Sequence, residues 1–194
     1  IHNLENLLLA VAMASHSGID PLVIGNSLPT LRGAPGRMER VECGQDFTAL
    51  IDYAHSPDAV ERVLSAARDM TTHRIIGVLG CGGNRDKSKR ALMGLALRKG
   101  SDVAIFTSDN PRDEEPEVIL QQMIEGIKLD DSAQVITDRR EAIATAIASA
   151  NAGDVVIILG KGHETGQEVK GIKIPFDDRE ELIRAIEEIG RAHV

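Results

Sequence analysis

The amino-acid sequence predicts an α/β fold, a Rossmann-like and mostly parallel sheet with helices on both faces, plus a short N-terminal helical segment. Two observations predict it. Strand-like segments alternate with helix-like segments of about 10 to 15 residues, which is the pattern of βαβ units. The strand-like segments, such as residues 74–79 and 154–159, contain unbroken apolar runs, as expected for parallel strands buried on both faces.

The N-terminal part is predicted to be helical. Apolar residues at helical spacing, among them Leu7 and Val11, predict a helix over residues 3–18, and a second short helix is predicted over residues 20–28. Residues 29–36 are rich in Gly and Pro and predict a linker or domain boundary. We therefore expect one part at residues 1–36 and a second at residues 37–194.

The alternation of strands and helices starts after this boundary. Ser56 is placed to cap a helix whose first residue is Pro57, and Gly100 and Gly153 are placed to end two later helices. The predicted strands are residues 38–41, 47–53, 74–79, 102–107, 133–136 and 154–159, with a weak strand near 171–174, and the predicted helices are residues 57–70, 86–99, 116–129, 139–152 and 178–189.

Composition excludes several classes of function. The chain has 194 residues and a net charge of -8, which argues against a nucleic-acid partner held through phosphates. Aromatic residues make up 2% and Trp is absent, so base-stacking platforms are not expected either. No apolar run reaches membrane-spanning length and no signal-peptide pattern opens the chain. We expect a cytoplasmic protein with small-molecule partners and no membrane partner.

The two cysteines, Cys43 and Cys81, lie too far apart for a zinc motif or a disulfide framework. We read both as reduced, as in a cytosolic protein, and predict no metal site. The chain opens on Ile1 without Met, inside a predicted helix, so the expectation is a fragment of a longer protein.

Four polar loops follow predicted strands, at residues 52–57, 80–86, 108–112 and 160–165. In an open parallel sheet, ligands bind outside the carboxyl ends of the strands. If the strands are parallel, all four loops lie at one edge within reach of a common ligand. The segment Asp109-Asn110-Pro111-Arg112 presents carboxylate, carboxamide and guanidinium groups, which suit a small ligand carrying both amine and carboxylate charges.

Each loop taken alone has an ordinary interpretation as a turn, a helix cap or a solvated segment. Nucleotide motifs are weak, because Gly80-x-Gly82 lacks the third glycine of GxGxxG and has Arg85 at that position. No GxxxxGK[ST] phosphate loop is present in the sequence. The coincidence of all four loops at one edge favours function.

The loops resemble one known family, the Mur ligases, and within it the C-terminal part of the members that add meso-diaminopimelate. The resemblance covers nearly the whole chain, with the motifs in family order. It rests on residues 36–39 (GRME), 52–59 (DYAHSPDA), 80–87 (GCGGNRDK), 109–112 (DNPR) and 160–164 (GKGHE).

The resemblance implies roles for individual residues. Those implied to contact diaminopimelate are Arg85, Asn110, Arg112, Gly160 and Glu164, with Asp109 and Pro111 shaping the same motif. Arg112 is the implied grip for the distal carboxylate, since Arg can hold a carboxylate through two parallel hydrogen bonds, and lysine has no such carboxylate. Glu164 can accept from the distal ammonium. Positions implied near ATP are Asn6, Arg37, Asp52 and His55, and no residue of this chain is implied to be catalytic.

The family reaction uses ATP to convert the D-glutamate side-chain carboxylate of UDP-N-acetylmuramoyl-L-alanyl-D-glutamate into an acyl phosphate, which the amine of diaminopimelate attacks. By resemblance, residues 1–36 are the last helices of a central ATPase domain, and the phosphate loop, the magnesium ligands and the uridine-binding domain lie outside this chain. We therefore expect no catalysis by the chain alone. Two alternatives stay open, a lysine-adding relative and a non-catalytic module that binds an amino acid.

Overall fold

The structure is a computed structural model that describes residues 2–31 and 33–192. Over these residues no helix is both long and apolar enough to cross a membrane. The chain divides into two compact units, residues 1–34 and 35–194. The first contains helices α1 (His2–His16) and α2 (Pro21–Ser27) and a 3-10 turn (Leu28–Thr30). Asp20 caps α2 by accepting a hydrogen bond from the Leu22 N–H at 2.7 Å.

The second unit contains a six-stranded sheet, a two-stranded hairpin and five helices among its described residues. The sheet strands are β1 (Glu39–Val41), β2 (Thr48–Asp52), β3 (Ile75–Cys81), β4 (Val103–Ser108), β5 (Ala133–Val135) and β6 (Val155–Leu159). The hairpin is β7 (Gly166–Val169) and β8 (Ile172–Pro175), and the helices are α3 (Pro57–Arg68), α4 (Ser88–Gly100), α5 (Pro116–Met123), α6 (Arg139–Ala148) and α7 (Asp178–Ala192).

The sheet order is β1-β2-β6-β3-β4-β5, with β1 antiparallel to β2 and all other neighbours parallel. The predicted α/β class is therefore confirmed. The strands are buried on both faces because helices cover both. Helices α3, α4 and α5 form one core through residues such as Leu64, Leu97 and Ile119. Helices α6 and α7 form the other through residues such as Ile143 and Leu182.

Strand β6 lies between β2 and β3, and this placement locates the site. After β2 and β3 the chain continues into α3 and α4 on one face, whereas after β6 it continues through the hairpin into α7 on the other face. Where the segments that follow neighbouring strands continue to opposite faces of the sheet, a crevice opens at the carboxyl ends of the strands, and ligands bind there in folds of this kind.

The ends of several helices and one strand differ from the sequence expectations. The helix predicted over 116–129 ends at Met123, because the chain turns back through Gly126, which adopts a positive φ of 75°. Gly100 lies inside α4 rather than beyond it. A Cβ atom on Gly100 would stand 2.7 Å from the Leu64 side chain, so this glycine permits close packing of α3 on α4.

The helix predicted over 139–152 also ends earlier, at Ala148, and Gly153 follows in a turn with φ 83°. The weak strand near 171–174 is real, but its partner β7 was not predicted. Strand β7 has no apolar alternation that would have indicated a strand. Backbone hydrogen bonds tie it to Arg112, whose N–H donates to the Glu168 carbonyl at 2.9 Å and whose carbonyl accepts from the Lys170 N–H at 2.7 Å.

Candidate functional site

The four polar loops meet at one edge of the sheet, as their sequence positions predict, and enclose a cavity of about 370 Å³. Among the predicted substrate residues, six line it, namely Arg85, Asp109, Asn110, Arg112, Gly160 and Glu164. Pro111 does not line the cavity but packs against Gly83 in the neighbouring loop. The predicted ATP residue His55 lines the same cavity.

The other three predicted ATP residues are placed differently. Asn6 lies in α1, in the first unit. The Arg37 guanidinium lies 5.0 Å from the centre of the Tyr53 ring, close enough for a cation–π contact. Asp52 is buried, and its carboxylate accepts hydrogen bonds from the N–H groups of Met38 and Ala54, each at 2.8 Å.

Asp52 therefore has a clear structural task. Burial raises the pKa of its carboxyl group, and the two backbone hydrogen bonds partly offset that rise. Its bond to Met38 holds a residue in the left-handed region, with φ 45°. Since Met38 follows Arg37 directly, Asp52 fixes the turn that presents the Arg37 guanidinium.

Tyr53 connects the predicted ATP residues with the predicted amino-acid residues. Its ring lies 4.7 Å from the His55 ring and 5.6 Å from the His163 ring, measured between centroids. Its hydroxyl donates to Glu164 Oε1 at 3.3 Å. Tyr53 lines the cavity, although it was not selected from the sequence as a site residue.

Glu164 is held as an ionised carboxylate at the cavity wall. Asn110 Nδ2 donates to its Oε2 at 2.8 Å, and the Lys161 ammonium lies 3.5 Å from the same oxygen. Burial alone would raise the pKa of Glu164, but the hydrogen bond from Asn110 and the charge of Lys161 lower it overall. An ionised, partly exposed carboxylate of this kind can accept from a ligand ammonium.

Lys161 is the largest omission from the sequence-derived site residues. Its side chain has no exposed surface, and its ammonium donates to Asp109 Oδ1 at 3.2 Å and to Asn110 Oδ1 at 3.1 Å. Burial raises the pKa of Asp109, against the lowering effects of Arg139 and Lys161. The sequence signal was available, since Lys161 lies within the GKGHE segment, but an exposed loop lysine is the more common case.

The two predicted arginines differ in their existing contacts. Arg112 Nη1 donates to the Gly83 carbonyl at 2.7 Å, and Nε pairs with Glu168 at 3.2 Å. Arg85 lines the cavity from an exposed position and makes no hydrogen bond or ion pair with any other described residue. All the guanidinium donors of Arg85 are therefore available to an anionic ligand, whereas some of those of Arg112 are already used in hydrogen bonds within the protein.

The loops that carry these two arginines are bonded to each other. The Gly83 N–H donates to the Asn110 carbonyl at 2.8 Å. Glu114 accepts from the Asn84 N–H at 2.6 Å and from both terminal nitrogens of the buried Arg90 at 2.8 Å. The hydrogen bond from Arg90 is the main cause that lowers the pKa of Glu114 to about 2. Glu114 thus fixes the loop that presents Arg85.

A second buried arginine, Arg139, contacts the carboxyl ends of two strands that carry loops of the site. Arg139 donates to both carboxylate oxygens of Asp178 at 2.7 Å, to the Leu159 carbonyl at 3.0 Å and to the Ser108 carbonyl at 3.3 Å. It therefore joins the carboxyl ends of β4 and β6 to the start of α7. Cys81, the last residue of β3, also lines the cavity, and burial raises the pKa of its thiol to about 12, so it stays protonated near neutral pH.

Comparison with known proteins gives consistent results. Residues 36–162 match the family described as "Mur ligase, glutamate ligase domain". The chain is similar to the UDP-N-acetylmuramoyl-L-alanyl-D-glutamate–2,6-diaminopimelate ligase of Syntrophomonas wolfei, with 48% identity over 95% of this chain and 39% of the relative. It is also similar to the enzyme of that name from Aquifex aeolicus, with 52% identity over 89% of this chain and 36% of the relative.

A solved structure of a ligase with the same name superposes with a TM-score of 0.77 and 42% identity, over 97% of this chain and 39% of the solved one. The chain spans about two fifths of the length of the curated relatives it matches, 39% and 36% for the two named above.

Proposed function

The chain belongs to the Mur ligase family, and from this premise we propose that it is the C-terminal part of an ATP-dependent amide ligase of peptidoglycan synthesis. The proposed reaction adds meso-diaminopimelate to UDP-N-acetylmuramoyl-L-alanyl-D-glutamate. The names of the relatives support this choice of substrates. We propose that residues 37–194 bind the incoming amino acid, and that residues 1–36 are the last helices of a central ATPase domain.

One observation carries the proposal: a single cavity presents groups of both charges. Arg85, Lys89 and Arg112 line it with cationic groups, and Glu164 lines it with an ionised carboxylate. The end of an amino acid carries an ammonium and a carboxylate side by side. Guanidinium–carboxylate and carboxylate–ammonium pairs are the contacts that would hold such an end. Diaminopimelate has two such ends, so one can be held here while the amine of the other reacts.

The substrate residues have distinct proposed tasks. Arg85 and Arg112 bind the distal carboxylate, and Glu164 accepts from the distal ammonium. Gly160 leaves room beside the Asp109 carboxylate, because a Cβ atom there would stand 3.2 Å from Asp109 Oδ2. Asp109, Asn110 and Pro111 shape the wall. Lysine lacks the distal carboxylate, so the guanidinium contacts favour diaminopimelate over lysine.

Amide formation requires an activated carboxyl group, because a carboxylate has no adequate leaving group. In the proposed mechanism, ATP phosphorylates the D-glutamate side-chain carboxylate to an acyl phosphate. The amine of diaminopimelate attacks the acyl carbon, and the tetrahedral intermediate collapses to an amide with loss of phosphate. This chain contributes by positioning the amine, and charged groups placed around the reacting atoms stabilise the charge that develops.

The proposed ATP contacts of this chain are Asn6, Arg37, Asp52 and His55. Arg37 and His55 flank Tyr53, which places a cation and a ring beside the amino-acid cavity. Asp52 acts through the turn that holds Arg37. Over the described residues, no group of three or more His, Cys, Asp and Glu side chains could hold a metal ion.

The test is an amide-forming assay on the full-length protein with ATP, the UDP-linked dipeptide and either meso-diaminopimelate or lysine. We expect phosphate release and amide product with diaminopimelate, and no more than a trace with lysine. Preference for lysine would show a lysine-adding relative. Calorimetric binding of diaminopimelate without any product would show an amino-acid-binding module. We expect the chain of residues 1–194 alone to form no amide.

A further inference from the structure

The geometry points to Lys161 as a positioning residue that sets the orientation of both Asn110 and Glu164 without touching the ligand itself. This inference rests on the proposed function, because it concerns how the amino-acid cavity recognises an ammonium group. Lys161 is not among the residues that line the cavity. Its side chain has no exposed surface, so any effect on a ligand must pass through its neighbours.

The Lys161 ammonium makes two hydrogen bonds and one ion pair with its neighbours. A lysine ammonium has three N–H donors. Three acceptors surround this one, namely Asp109 Oδ1 at 3.2 Å, Asn110 Oδ1 at 3.1 Å and Glu164 Oε2 at 3.5 Å. A buried ammonium is stable only when it is paired and hydrogen-bonded in this manner. The three acceptors are consequently held at fixed positions around it.

The orientation of the Asn110 amide follows from these contacts. Its Oδ1 accepts from Lys161 and from the Glu168 N–H at 2.9 Å, so its Nδ2 must point the other way. Nδ2 donates to Glu164 Oε2 at 2.8 Å. Without Lys161, the amide oxygen loses one of its two donors, and the amide can rotate so that Nδ2 no longer meets Glu164.

Lys161 shares its single positive charge between two acidic side chains, Asp109 and Glu164. Arg139, the other buried cation near Asp109, is already paired with Asp178. An ammonium arriving at Glu164 therefore meets an ionised carboxylate that Lys161 and Asn110 have oriented and that is still partly exposed. Recognition of the ligand ammonium depends both on the orientation of the Glu164 carboxylate and on its remaining capacity to accept a cation.

The experiment is a double-mutant cycle in the full-length protein, with Lys161→Met, Glu164→Gln and the two combined. Lys161→Met removes the charge and keeps a similar length. We expect it to raise the KM for diaminopimelate about tenfold or more, as for loss of a charged hydrogen bond, and to leave the KM for ATP within about twofold. Lys99→Met, at an exposed lysine of α4, is the matched control and should change neither constant.

The combined variant decides whether Lys161 acts through Glu164. We expect Lys161→Met to add little to the KM increase once Glu164→Gln is present, because interacting residues give non-additive effects. Full additivity, or equal increases in the KM values for diaminopimelate and ATP, would overturn the inference. If Lys161→Met does not fold, Lys161→Gln takes its place in the cycle, because it also removes the charge and keeps a polar group that can donate to the Asn110 oxygen. A wild-type protein that does not use diaminopimelate would instead refute the proposed function.

Discussion

Arg139 and Asp178 form a doubly hydrogen-bonded ion pair in which neither side chain has any exposed surface. The pair joins α6 to α7, and the remaining guanidinium contacts reach the carbonyls that end β4 and β6. Those two strands carry the loops with Arg112 and Glu164. The buried ion pair between α6 and α7 thus supports the two loops that carry these cavity-lining side chains.

We expect Arg139→Met to lower the free energy of unfolding by about 3–5 kcal/mol, because it leaves the Asp178 carboxylate buried without a partner. Urea denaturation followed by circular dichroism would measure the loss. Combining Arg139→Met with Asp178→Leu should recover part of it, since a buried apolar pair has no uncompensated charge. Arg62→Met, at an exposed arginine of α3, should change stability by no more than about 0.5 kcal/mol.

Arg112→Ala tests the proposed carboxylate contact. In the full-length protein we expect it to weaken the use of diaminopimelate by about 1.5–3 kcal/mol, the range for a hydrogen bond to a charged group. The measurement is kcat/KM at varied diaminopimelate, with Arg62→Ala as the control arginine. Unchanged kcat/KM would refute the role assigned to Arg112 and leave Arg85 as the candidate for the carboxylate contact.

Gly83→Ala tests the contact between the two arginine-bearing loops. A Cβ atom on Gly83 would collide with the Pro111 carbonyl, and backbone atoms cannot move aside cheaply. We expect the loops to separate, with a loss of stability and a raised KM for diaminopimelate. The matched control is Gly33→Ala, because a Cβ atom there meets nothing within 4 Å. Equal behaviour of the two variants in thermal unfolding and in the assay would contradict the contact.

Glu114 gives a prediction for the pH dependence of stability. Its pKa lies at about 2 in the folded protein, against an ordinary value of 4.5. A group whose pKa is depressed on folding contributes stability above its ordinary pKa, and this contribution is lost as the pH falls towards the folded value. We expect wild type to exceed Glu114→Gln in stability by a constant amount above about pH 5. The gap should close as the pH falls from 4.5 to 2, and a gap independent of pH would contradict the assignment.

Much of the fold followed from the sequence because its strongest signals are local. The apolar runs of β3 and β6 identified buried parallel strands, and Ser56 with Pro57 marked the start of α3, where the Ser56 hydroxyl does accept from Ala59. Helix ends were less predictable, since α5 ends at Met123 and the backbone then turns over residues 124–126. Strand β7 was missed because it has no apolar pattern, and what holds it in place is pairing with β8 and backbone hydrogen bonds to Arg112.

The residues of the candidate site likewise fall into those that local sequence signals predicted and those that they did not. Residues that lie in recognisable loops, such as Arg85, Arg112 and Glu164, were selected from the sequence and are brought to one cavity. Buried residues that contact the loops from inside the protein, such as Lys161 and Arg139, were not predicted as site residues. Charged side chains usually lie at the surface, so their complete burial depends on partners that are distant in sequence, and only the folded chain reveals them.

The position of β6 also bears on the order in which the chain can fold. Its neighbours β2 and β3 are made early, yet the strand that separates them begins only at Val155. We expect pairings between such distant segments to form late, because closing a long loop costs entropy before any contact is made. A nascent chain that has emerged only as far as β5 therefore has a gap at the centre of its sheet. The cavity lined by the four polar loops can assemble only after β6 has been inserted.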